Sequence, residues 1–224
     1  MTLRHERAKG ETFDPRFFEK DDRFWPIANA ASRFADRTDW PEPEELAAAG
    51  VRFVTASKKK TLDPDAMYDG QIVRGIVPTR PRCWHDYLNA MVWATFPRAK
   101  AALHARQYEL VRAWIPAGAT SMPNARTREH DAVAIVDEGG VILLGDFPIP
   151  FGHALFEGLV HRVPAMIART VAFDTSERTI EAADRLLAER VRHPMVPEDL
   201  PRFAFSDYQG LGEAQQRNPV WKSA

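Results

Sequence analysis

The sequence predicts an α+β fold, a mostly helical single domain packed around a small sheet. Three observations predict it. Apolar residues recur with a helical period across 81–95, 97–114 and 176–192. Two apolar runs, Asp131-Ala-Val-Ala-Ile-Val and Val141-Ile-Leu-Leu, flank Asp137-Glu138-Gly139-Gly140 and read as a buried β-hairpin at about 131–144. A chain of 224 residues that is 45% hydrophobic and 27% charged has enough apolar surface to form a sizeable core.

Taken in order, residues 1–12 are polar and read as a mobile end, and Phe17, Phe18, Phe24 and Trp25 begin an aromatic segment that docks on the core. A helix over 26–37 is broken by Trp40-Pro-Glu-Pro, a second over 44–49 stops at Gly50, and Val51-Arg-Phe-Val-Thr alternates as a strand. Beyond the Lys58-Lys59-Lys60 run, Asp63 caps a helix over 65–74 that has Pro64 in its first turn, and Gly75-Ile-Val-Pro-Thr-Arg reads as a loop. The 81–95 and 97–114 helices place Trp84, Leu88, Val92, Trp93, Phe96 and Leu103 in the core, and the hairpin adds Val133 and Ile135. A helix over 151–162, a strand over 169–173 and a capped helix over 176–192 follow. A proline-rich tail, 194–224, reads as irregular chain that wraps the body through Phe203, Phe205 and Trp221. No repeat and no interdomain linker is evident.

Composition removes several function classes. A single cysteine, Cys83, excludes an intramolecular disulfide framework and any multi-cysteine metal cluster within one chain. No apolar run reaches the roughly 18 residues of a membrane span, and residues 1–20 are too polar for a secretory signal, so a soluble cytoplasmic protein is expected. The net charge is −1, yet residues 52–128 hold 13 Lys and Arg against 5 Asp and Glu. That stretch either attracts a small anionic ligand or is a solvated face with its countercharges near in space. Nucleic acid is not an expected partner, because Trp84, Trp93 and Trp114 fall on faces read as buried rather than as stacking platforms.

The candidate site comes from polar residues placed among apolar ones. His85, Leu88, Asn89, Val92 and Phe96 share one helical stripe, and Asp86 lies beside Asn89. An unsatisfied buried polar group costs about 1–3 kcal/mol, so this set needs hydrogen-bond partners or a metal. His153 and Glu157 are four apart on the later helix, with His161 one turn on, a spacing that serves a shared ion or an oriented imidazole. Together they give catalytic candidates His85, Asp86, Asn89, His153 and Glu157, with His85, His153 and Glu157 as ligands if a divalent metal binds. Lys100 in the first turn of its helix, Arg128 and Asp131 are candidates for binding substrate. Asp131 would sit at the strand's start facing Arg126 or Arg128, and Asp137-Glu138-Gly139-Gly140 would be a tight turn with a geometric role.

These segments, read together as Gly75-Ile-Val-Pro-Thr-Arg, the HDxxNAxVWxxFPRxK block at 85–100, Arg128, Asp131, Asp137-Glu138-Gly139 and Phe151-Gly-His-Ala-Leu-Phe-Glu157, resemble the bacterial domain-of-unknown-function family 3025 from about 24 to 171. Members of that family usually carry a longer insertion before the FGHALxE helix, where only 145–150 stand here. The resemblance implies that His85, Asp86, Asn89, His153 and Glu157 converge, and it supplies no reaction. Two readings follow: an enzyme using the cluster for acid/base or metal-assisted hydrolysis of an anionic substrate, or a noncatalytic binding or scaffold protein in which the cluster is structural.

Overall fold

The computed structural model describes residues 11–57, 61–116 and 118–210. The expected α+β architecture is present, with two small sheets instead of one. In the first sheet, β1 (Ala47–Ala48) pairs antiparallel with β2 (Val51–Thr55), and β2 pairs parallel with β3 (Ile76–Thr79), so that Phe53 lies opposite Val77. The short helix α2 (Tyr68–Val73) makes the crossover, after a 3-10 turn, Pro64–Ala66, that Asp63 caps as expected. The second sheet has the order β5-β4-β6-β7, from β4 (Gly140–Leu144), β5 (Phe147–Pro150), β6 (Ile167–Phe173) and β7 (Arg202–Ala204). Around the sheets pack α1 (Ala28–Ser32), α3 (Trp84–Thr95), α4 (Pro97–Trp114), α5 (Arg128–Gly139), α6 (His153–Val160) and α7 (Ile180–Arg190). Trp84, Leu88, Val92, Trp93, Phe96, Leu103 and Val133 are buried as expected, and Ile135 is partly buried against the same core. Among the described residues no helix is long and apolar enough to cross a membrane.

The largest correction concerns the hairpin. The run at 131–136 is helical, inside α5, and the hairpin lies one element later, between β4 and β5. Five apolar residues in a row, 132–136, satisfy a strand's period and a helix's alike, so the flanks decide. Thr127 accepts a hydrogen bond from the His130 amide, Glu129 and Asp131 occupy the first turn, and the buried set His130, Val133, Val136 and Asp137 has helical spacing. Asp137-Glu138-Gly139 is therefore the end of a helix, not a tight turn, and residues 145–150 supply the second hairpin strand.

Smaller corrections have similar causes. Residues 43–49 form a 3-10 turn and β1 rather than a helix, and the 75–80 loop contains β3. Pro78, Pro148 and Pro150 all lie on edge strands, where a missing N–H breaks no ladder. The tail contributes β7 and buries Phe205, while Pro219 and Trp221 lie outside the described residues, as does the Lys58-Lys59-Lys60 run. Of the end read as mobile, residues 1–10 also lie outside, and Glu11 is anchored: its carboxylate accepts from the Trp84 amide at 2.7 Å and its carbonyl from Trp40 Nε1 at 2.8 Å.

Candidate functional site

Helices α3 and α6 pack against each other, and their polar residues meet at the C-terminal end of α5. Gly152 allows this approach. A Cβ there would fall 2.4 Å from the Glu138 carbonyl oxygen and 2.5 Å from the Gly139 and Gly140 nitrogens, so any larger residue would push α6 away. The Phe151 and Gly152 amides both donate to the Gly140 carbonyl, at 3.1 and 2.9 Å. His153, the first residue of α6, is thereby set with Nδ1 2.9 Å from the Asp137 backbone carbonyl.

That contact fixes a tautomer. A carbonyl only accepts, so His153 Nδ1 carries the proton and Nε2 presents its lone pair. On the facing helix His85 Nδ1 donates to Glu157 Oε2 at 2.8 Å, which turns its Nε2 the other way. The two Nε2 atoms stand 3.0 Å apart, with the rings at 74°. Glu138 Oε2 is 3.4 Å from His153 Nε2, and its Oε1 is 3.9 Å from His85 Nε2.

The group lines one wall of a cleft of about 480 Å³, along with Tyr68, Arg80, Asp86 and Asn89. The side chain of His153 is buried, that of His85 is 22% exposed and that of Glu138 50% exposed. Burial pushes His153 down to about 3; Lys100 and His85 act the same way, and Asp137 opposes them. Burial also acts downward on His85, but the hydrogen bond to Glu157 and the charges of Glu138, Glu157 and Asp86 outweigh it and hold its pKa above the ordinary imidazole value. A proton shared between the two Nε2 atoms therefore resides on His85.

The remaining candidates fare unevenly. Asp86 lines the cleft but is engaged by Arg80, accepting from its amide at 2.6 Å and its guanidinium at 2.5 Å. Asn89 Nδ2 donates to the Tyr68 hydroxyl at 3.2 Å, and among the described residues its buried Oδ1 has no partner. Glu157 stands behind His85, on the Nδ1 side, and so cannot join both Nε2 atoms on one ion; Glu138 is the carboxylate that faces them. His161 is 3.5 Å from Glu11, and Glu11, Glu157 and His161 form a second group with atoms close enough to share an ion. Cys83 precedes α3 with its Sγ 4.0 Å from Asp86, and burial pushes its thiol up, away from a nucleophile's range.

None of the three substrate-binding candidates reaches the cleft. Lys100 is fully buried and donates to Asp137 Oδ1 at 2.5 Å. The free amides in the first turn of α4 do attract an anion, but it is the chain's own Asp184, which accepts from Ala99 N at 2.7 Å and Arg98 N at 3.3 Å. Arg128 is exposed and pairs with Glu198, and Asp131 is exposed on the outer side of α5, because the run is a helix and not a strand.

Sequence reasoning missed Glu138 and the buried chain behind it. Asp137 accepts from Lys100, lies 3.9 Å from His104 Nε2, and His104 Nδ1 donates to Asp69 at 2.8 Å. Burial acts upward on Asp137, but Lys100, His104 and His153 outweigh it and hold its carboxyl well below the usual range. The missed signal was the helix start at Thr127 with Glu129 and Asp131, which would have placed Asp137 on the buried face and Glu138 one step around it.

Residues 51–149 match the family model described as protein of unknown function (DUF3025), so the resemblance read from the motifs is borne out over that stretch. The match includes His85, Asp86, Asn89, Lys100, Asp137 and Glu138 and ends before His153 and Glu157. No curated protein and no solved structure matches the chain.

Proposed function

We propose that the cleft is the active site of a hydrolase that acts on a small anionic substrate by general acid/base catalysis. The observation that carries this reading is the facing pair of imidazole Nε2 atoms, 3.0 Å apart, with the Glu138 carboxylate beside them on a cleft wall. Hydrolysis needs one group to take a proton from the attacking water and another to give one to the leaving group. Glu138, half exposed, takes the water proton as the water oxygen bonds to the acyl or phosphoryl centre. His85 gives its Nε2 proton to the leaving group as the old bond breaks. Glu157 fixes the His85 tautomer, His153 Nε2 accepts the hydrogen bond from the His85 Nε2 proton, and between turnovers the proton taken up by Glu138 returns to His85 Nε2, 3.9 Å away. Arg80, 48% exposed despite its pair with Asp86, replaces Lys100 as the cation that meets an anionic group.

The test is turnover of chromogenic phosphate monoesters, phosphate diesters and carboxylate-bearing esters by the purified chain. At least one class should be hydrolysed above the buffer rate, and His85→Ala should lower that rate by about 10²–10⁴ with an unchanged circular dichroism spectrum. No turnover in any class, or equal turnover by His85→Ala, would overturn the assignment.

A further inference from the structure

We infer that His85 Nε2, His153 Nε2 and Glu138 together bind one divalent transition-metal ion of the zinc type at the cleft wall. The inference rests on the hydrolase reading and on the same three side chains, and it changes their roles: with an ion bound, His85 Nε2 and Glu138 would be ligands, and the ion's water would replace them as the acid/base machinery. These donors come from three different helices, α3, α6 and α5, and their ligand atoms all lie within 4.8 Å of one another.

Three features favour an ion over a proton alone. First, the acceptors at both Nδ1 atoms, Glu157 on His85 and the Asp137 carbonyl on His153, leave the two Nε2 atoms facing each other at 3.0 Å, each with a lone pair to offer once no proton lies between them. Metal-binding imidazoles are held in this way, by a carboxylate or a backbone carbonyl on the far nitrogen. Second, two nitrogens on one tetrahedral ion at about 2.0–2.1 Å stand roughly 3.3 Å apart, close to the 3.0 Å seen here. Third, a proton needs only the two rings. Glu138 at 3.4 and 3.9 Å is too far to bond either ring, yet it is placed to reach an ion between them.

Two neutral nitrogens and one carboxylate suit zinc, with the cleft side left for a water. Such an ion would lower the pKa of that water and so supply the nucleophile that hydrolysis needs. The lining polar groups, Tyr68, Asn89 and Arg80, lie on that open side.

The experiment is calorimetric titration of the chelator-treated full chain with Zn²⁺, paired with the absorption spectrum of the Co²⁺ form. The expected result is one ion per chain and a tetrahedral Co²⁺ spectrum. His153→Ala should abolish both, and Glu138→Gln, at a half-exposed position that leaves the fold intact by circular dichroism, should weaken binding at least tenfold. Glu157→Gln, which alters the acceptor at the far nitrogen of His85, should weaken it by about 10–100-fold. His161→Ala should leave it unchanged, whereas loss of binding on His161→Ala with retention in Glu138→Gln would place the ion at the second acidic group and overturn the assignment. Absence of stoichiometric Zn²⁺ binding would overturn it as well. Its failure is distinct from failure of the hydrolase reading: metal-free turnover that depends on His85 leaves the hydrolase standing without the ion, and tight binding without turnover leaves the ion without the hydrolase.

Discussion

Asp137 and Glu138 are neighbours on one helix and belong to two regions that use the same residue types in opposite ways. Successive helical residues point about 100° apart, so Asp137 turns inward to Lys100 and His104 while Glu138 turns to the cleft beside His85 and His153. In the inner region Lys100 meets Asp137, and Asp69 meets His104, in the packing between α2, α4 and α5. In the cleft region the rings are tied at their far nitrogens to Glu157 and a backbone carbonyl, and their near nitrogens meet only each other and a half-exposed carboxylate. A charge matched on its working atom holds a structure together; one matched only from behind is left able to bind or to transfer a proton.

Removing one partner of the inner pair should have the largest effect on stability. Lys100→Ala leaves the Asp137 carboxylate buried without its ammonium and should cost about 3–5 kcal/mol in chemical denaturation; a loss below about 1 kcal/mol would erase the distinction between the regions. The same pair predicts an acid dependence. Because the folded pKa of Asp137 is below its ordinary 3.8, its contribution is fully present above that value and is lost as the pH falls towards the folded value, by at most about 1.4 kcal/mol per pH unit. Denaturation between pH 5 and 2 should show this fall, less steep in the double variant Lys100→Met, Asp137→Leu.

Gly152→Ala tests the junction between the regions. Its Cβ would press on the Glu138 carbonyl and the next two amides, at a cost of about 1–3 kcal/mol, and by shifting His153 it should abolish Zn²⁺ binding. Asp184→Ala removes the anion at the start of α4, far from the cleft, and should cost about 0.5–2 kcal/mol while hydrolysis stays unchanged. His85→Ala sits at the other extreme, with a stability change of about 1 kcal/mol or less and the full loss of turnover. If His85→Ala destabilised the fold as much as Lys100→Ala, the cleft cluster would be structural and the comparison would collapse.

The residues that the sequence brought forward by their placement on apolar helices are the ones that meet. His85 and His153 stood out because a histidine on a buried stripe needs a partner, and each found the other. Lys100 stood out for its helix-start position, and that logic held for the backbone amides but not for the side chain: Asp184 answers the amides, and Lys100 points inward to Asp137. Glu138 escaped because a strand reading of 131–136 turned the following acidic pair into a loop, where its side chains had no assigned direction.

The sequence by itself determined the helical periodicities of α3 and α4, the α+β class, the apolar core of Trp84, Leu88, Val92 and Phe96, and the polar positions on α3 and α6. These follow from local spacing, because a 3.6-residue period is written in consecutive residues. Only the tertiary structure decided between helix and strand at 131–136, gave Lys100 to Asp137, and put Glu138 rather than Glu157 before the two Nε2 atoms. Those outcomes depend on which elements pack together and on which nitrogen of each ring is engaged from behind, contacts between residues tens of positions apart that a local period cannot encode.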